Sequence, residues 1–66
     1  MTYMEYFDTS RKLLHTRSDG AEGVPIPKVG SVYMLPSHEV RVETVQTHTD
    51  GDTTKIIATC KVLRHL

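Results

Sequence analysis

The chain has 66 residues, with eight basic and eight acidic side chains and a net charge of zero. That length allows one domain, residues 1–66, with a thin stability margin, because so short a chain buries only about 60% of the surface its unfolded form exposes. The balanced charge gives neither the basic excess of a typical nucleic-acid binder nor the acidic excess of a mimic, so no long-range field selects a partner. A lone cysteine, Cys60, rules out an internal disulfide and fits a reducing compartment. The opening MTYMEY has no basic segment leading into an apolar run, and no apolar stretch nears the roughly 20 residues that span a bilayer. The expectation is a soluble, cytoplasmic protein that does not engage the membrane.

Residues 2–17 read as an amphipathic helix. Thr2 and Glu5 have capping-box spacing. At helical periodicity Tyr3, Met4, Tyr6, Phe7, Leu13 and Leu14 share about half the circumference, with Glu5, Asp8, Lys12, His15 and Thr16 opposite. Asp8 and Lys12 stand at i,i+4 with the acid first. A competing reading of the same residues is a strand at TYMEYF followed by a turn at DTS.

Residues 18–30, SDGAEGVPIPKVG, read as a loop, because three glycines and two prolines prevent regular structure. Pro25 and Pro27 bracket Ile26 and favour an extended path. Residues 31–66 read as β: a short strand SVYML, then EVRVETVQT and TTKIIATCKVL, rich in Val, Ile and Thr. The predicted fold class is therefore α+β, mainly β: an N-terminal helix followed by a small antiparallel sheet.

Hydrophobic alternation sets the register of the last hairpin. Ile56, Ala58, Cys60 and Val62 share one face of the last strand, and Val40, Val42 and Thr44 share one face of the strand before it. Bringing both sets to one side pairs Thr44 with Ile56, Val42 with Ala58 and Val40 with Cys60, and puts Glu39 opposite Lys61. It leaves a three-residue loop, Thr49-Asp50-Gly51, with Gly51 at positive φ. A two-residue Asp50-Gly51 turn would turn Arg41 and Glu43 against the apolar face.

Turn chemistry then explains THTDGDTT, since Asp bonds its own backbone and Gly accepts positive φ. A cation held by His48, Asp50 and Asp52 is the alternative. The calcium-loop pattern is absent, and a transition metal would want more nitrogen or sulfur ligands. Cys60 falls mid-strand among apolar neighbours, where a thiol acts as a small hydrophobe rather than a nucleophile. His15, His38, His48 and His65 show no chelating spacing and read as surface or strand-end residues. No nucleophile elbow, phosphate loop or catalytic carboxylate pair is present, so a non-enzyme without cofactors is expected. Tyr3, Tyr6, Phe7 and Tyr33 read as core under a covering helix rather than as a base-stacking surface.

On the other face of the hairpin, Val45, Ile57 and Leu63 interrupt the charged set Arg41, Glu43, Lys55 and Lys61. A half-apolar face with no element left to cover it points to a second chain. Val45, Ile57, Leu63, Arg41 and Lys55 are thus the candidate protein-binding residues.

The stretch PKVGSVYMLPSHEVRVETVQ is similar in cadence to the opening of small SH3-like barrels, with Gly30, Val32, Arg41, Val42 and Val45 at the matching positions. That resemblance implies that the sheet can curl into an SH3-like barrel and that the chain is a binding module of a sort common among small phage and mobile-element proteins. The expected function is non-catalytic binding to another protein, as an accessory factor or inhibitor, with a homodimer or a host protein as the partner. One alternative is a nucleic-acid-binding module using Arg41, Lys55, Lys61 and Arg64. Another is a metal-binding protein using the 48–52 turn.

Overall fold

The computed structural model describes residues 2–19 and 26–66. Five strands, β1 (Thr2–Asp8), β2 (Leu13–Asp19), β3 (Val32–Met34), β4 (His38–Asp50) and β5 (Thr53–His65), form one sheet in the order β2-β1-β5-β4-β3. Neighbours are antiparallel except β1 and β5, which run parallel. The mixed sheet curls into a half-barrel about 35 Å long and 19 Å across. A small barrel-like architecture is compatible with that shape. Of the expected loop, residues 20–25 lie outside the described residues, and Ser18 and Asp19 belong to β2.

The expected N-terminal helix is not there: the described residues contain no helix, and residues 2–17 form most of a β-hairpin. The competing strand reading of TYMEYF is the one the fold adopts. Tyr, Met and Phe at these positions satisfy either period, so composition alone does not decide. The deciding partner is β5, more than 50 residues away in sequence. Strand β5 is the centre of the sheet and needs a neighbour on each edge. β1 supplies one, setting Met4 beside Ile56 and Tyr6 beside Ala58. Met4 and Tyr6 are buried while Tyr3, Glu5 and Phe7 face out, the alternation of a half-buried strand. The features that suggested helix have other uses. Asp8 and Lys12 close the hairpin: the Asp8 N–H donates to the Lys12 carbonyl at 2.9 Å, and Asp8 Oδ1 accepts from the Ser10 and Lys12 N–H groups at 2.8 and 2.9 Å. Arg11 sits at φ 67°, a left-handed position in that turn.

The core lies on one face and comprises Met4, Tyr6, Leu35, Val40, Val42, Ile56, Ala58 and Cys60, with Leu14, Tyr33, Val45 and Val62 packed against it. Val40, Val42, Ile56, Ala58 and Cys60 point to the side expected from the sequence, but their pairing differs. The β4–β5 turn has two residues, Gly51 and Asp52, with Asp50 opposite Thr53. Positive φ at Gly51 (60°) and not at Asp52 is the type II′ pattern, whose twist suits a hairpin. Such a turn reverses parity near the tip, pairing Thr47 with Ile56 and Val45 with Ala58. A β-bulge at Glu43 restores it, so Val42 meets Cys60 and Val40 meets Val62. A second irregularity between Glu39 and Val40 leaves Leu63 as the extra residue on β5 and brings Glu39 opposite Arg64 rather than Lys61. On the far side of β4, a Lys28–Ser31 turn with Gly30 at φ 88° feeds β3 onto the sheet, and the Gly30 N–H donates to the Val42 carbonyl at 2.7 Å.

Candidate functional site

Because all core side chains point one way, no described element covers the opposite face of the sheet. Cross-strand pairing orders that outer face into rows. One row runs Leu13, Phe7, Thr59, Thr44; the next runs Thr16, Glu5, Ile57, Gln46. Phe7, Leu13 and Ile57 therefore form one apolar cluster across β2, β1 and β5. Phe7 and Ile57 are half-buried by their neighbours, and Leu13 is 47% exposed. An open groove of about 450 Å3 runs beside them, lined by Phe7, Ile57, Thr59 and Gln46 and by Asp8, Thr9 and Arg11 of the first hairpin. Apolar contact area at the centre with polar and charged groups around it is the usual layout of a protein interface.

Only part of the expected binding set assembles here. Ile57 lies in the cluster. Val45 does not: the Glu43 bulge turns it to the core side, where it packs half-buried. Leu63, 41% exposed, sits at the other bulge, about 20 Å along β5 from Ile57 at roughly 3.3 Å per residue. There it shares the outer face with Val32 and Met34 of β3, both exposed. Lys55 faces out but is held by Glu5 at 3.0 Å, and Arg41 lies 3.7 Å from Glu43. Phe7 and Leu13 were missed because the helix reading placed them in the core. The alternation of TYMEYFD taken as a strand would have put Phe7 outside.

The four cations of the nucleic-acid alternative share the outer side of β4 and β5. Arg41 stands opposite Lys61, while Arg64 is paired with Glu39 at 3.1 Å. With Lys55 and Arg41 beside carboxylates as well, the surface alternates in sign, unlike the continuous basic stripe that tracks a phosphate backbone. His48 faces Lys55, Asp50 begins the turn and Asp52 lies within it. Among the described residues no group of three or more His, Cys, Asp or Glu side chains is placed to hold a metal ion.

Cys60 is fully buried in the core. Burial raises its thiol from 9.0 to about 11, and the Glu43 carboxylate pushes the same way. Burial likewise raises Tyr6. The sign of the consequence follows from proton binding. Between about pH 9 and 11 the unfolded thiol ionises and the folded one does not, so stability falls as pH rises through that window. Urea midpoints at pH 8.5 and 10.5 should therefore drop less for Cys60→Ala than for the wild type. Equal drops would show that the thiol does not contribute. The native thiol should also resist a disulfide reagent at pH 8 until the chain unfolds.

No described helix is long and apolar enough to cross a membrane. Comparison of the chain with protein-family models, with curated proteins and with solved structures finds no match.

Proposed function

We propose that the chain is a non-catalytic protein-binding module of the cytoplasm that docks through the outer face of its half-barrel. The observation that carries this reading is the Phe7–Leu13–Ile57 cluster, left uncovered by any described element although the core face is packed. Three side chains of this size could contribute several kcal/mol on burial, at about 1.5–3 kcal/mol each, a large amount for a domain with so thin a margin.

A second copy of the same chain is the first partner proposed. Glu5 with Lys55, Arg41 with Glu43 and Glu39 with Arg64 set carboxylates beside three of the four outer cations, and the whole chain carries no net charge. Such a surface neither repels its own copy nor favours a strongly charged target, and it can be self-complementary across a two-fold axis. Among the described residues no further strand pairs with the edges β2 and β3, so the contact can extend from the face onto an edge.

Sedimentation equilibrium of the wild type and Ile57→Lys tests this. The wild type should show a concentration-dependent monomer–dimer equilibrium, and the variant should shift it at least tenfold toward monomer while keeping its strand signal in circular dichroism. A wild type that stays monomeric at millimolar concentration would refute the homodimer and leave the face to a different protein. A dimer indifferent to Ile57→Lys would remove this face from the contact.

A further inference from the structure

We propose that His38 and His65 form a two-nitrogen site for a divalent transition-metal ion, with copper(II) as the preferred occupant. The two residues are 27 positions apart and read in sequence as isolated strand-end histidines. The structure makes them a cross-strand pair, with ring centres 4.6 Å apart and ring planes at 60°. Two imidazoles in adjacent positions on one ion, each nitrogen about 2.0–2.1 Å from the metal, hold ring centres roughly 4.4–5.1 Å apart between square-planar and tetrahedral angles. The observed separation falls in that interval, so the two rings already stand at the spacing that a shared ion would set.

Three further features favour a ligand site over a chance contact. The first is register. Were the β4–β5 pairing continued unbroken from Val40–Val62, His38 would face Arg64, and a cation would occupy the place of the second imidazole. The extra residue Leu63 shifts the pairing by one and delivers His65 instead. The second is the tautomer. Ser37 Oγ lies 2.6 Å from His38 Nδ1. In the tautomer whose Nδ1–H donates to that hydroxyl, Nε2 carries the lone pair, and the serine would then orient the ring as second partners do in metal sites. The third is anchoring. The Leu66 N–H donates to the Ser37 carbonyl at 3.0 Å, and the Leu35 N–H donates to the His38 carbonyl at 2.8 Å, so both ends of the pair are tied down.

Two nitrogens with the other positions open to water suit the tetragonal geometry of copper(II) or nickel(II), and copper binds tighter in the usual order of divalent ions. A closed tetrahedral zinc site would need two more protein ligands, which the described residues do not place there. The pair continues the core-facing side of β4, opposite the outer face proposed for docking, so metal binding and docking can succeed or fail independently.

Copper(II) chloride titrated into the full chain at pH 7.5, in a non-coordinating buffer, is the test. Expected are one ion per chain, two-nitrogen hyperfine structure in electron paramagnetic resonance, and a rise in Tm. Exposed His65 can be replaced without touching the core, so His65→Gln should fold and should weaken binding about tenfold or more, removing the second nitrogen from the spectrum. His15→Gln and His48→Gln should bind as the wild type does. Ser37→Ala should weaken binding severalfold while keeping the two-nitrogen signature, as expected of a positioning residue. Unchanged one-to-one binding in His65→Gln, loss of the ion in His48→Gln or His15→Gln, or no two-nitrogen species at millimolar copper would each overturn the proposal.

Discussion

Deleting Arg41 should abolish folding, whereas deleting Glu43, two residues away, should leave the fold intact. Glu43 is the extra residue of a bulge, and its flanking pairs, Thr44 with Thr59 and Val42 with Cys60, are already consecutive on β5. Without Glu43 those pairs become a regular ladder with every side chain on its present face. The loss is one long surface ion pair, Arg41 with Glu43 at 3.7 Å, which contributes little. Arg41 has no such latitude. It separates Val40 from Val42, both fully buried on the same face. Closing the gap either drives Val42 out and Glu43 in opposite Cys60, or drives Val40 out and Glu39 in opposite Val62. A carboxyl group buried without partners costs several kcal/mol, and a single core of this size supplies only about 3–5 kcal/mol of net stability. Circular dichroism and urea titration of the two deletions decide it. Equal damage from both would mean that the bulge is not where the register places it.

The second large effect belongs to β1. Met4→Ala should cost about 2–4 kcal/mol, because Met4 is 2% exposed and packs beside Ile56. Tyr3→Ala should cost under about 1 kcal/mol, since Tyr3 lies on the outer face. An amphipathic helix would bury both and make their costs similar, so the ratio of the two measures the strand alternation directly.

Why the helix reading failed has a physical answer. Periodicity is a local signal, and TYMEYFDTSRKLL carries both periods. Its outcome is set by a parallel partner, β5, whose need for a second neighbour is invisible until the sheet order is known. The β region was more legible, because Val, Ile and Thr at alternating positions mark β4 and β5 and their shared core face. What pattern could not reveal was the correction made inside the hairpin. A two-residue turn at Gly51-Asp52 and a bulge at Glu43 together give the same core face as a three-residue loop with no bulge. Two compensating shifts leave the buried set Val40, Val42, Ile56, Ala58 and Cys60 unchanged, but they move Val45 inside. The candidate surface inherits both outcomes: Ile57 was visible from alternation, while Phe7 and Leu13 depended on the strand assignment of β1. The His38–His65 pair depended on the bulge at Leu63, which no spacing rule announces.

Ile56 and Ile57 are adjacent in sequence and point to opposite faces, and that contrast gives the most direct test of the outer-face account. The measurement is attenuation of their methyl resonances by a soluble paramagnetic probe, in dilute and in concentrated protein. The account predicts that Ile56 stays protected at every concentration, while Ile57 is attenuated when dilute and becomes protected as the second copy covers it. Equal attenuation of the two methyls, or an Ile57 signal that stays attenuated at millimolar protein, would contradict it.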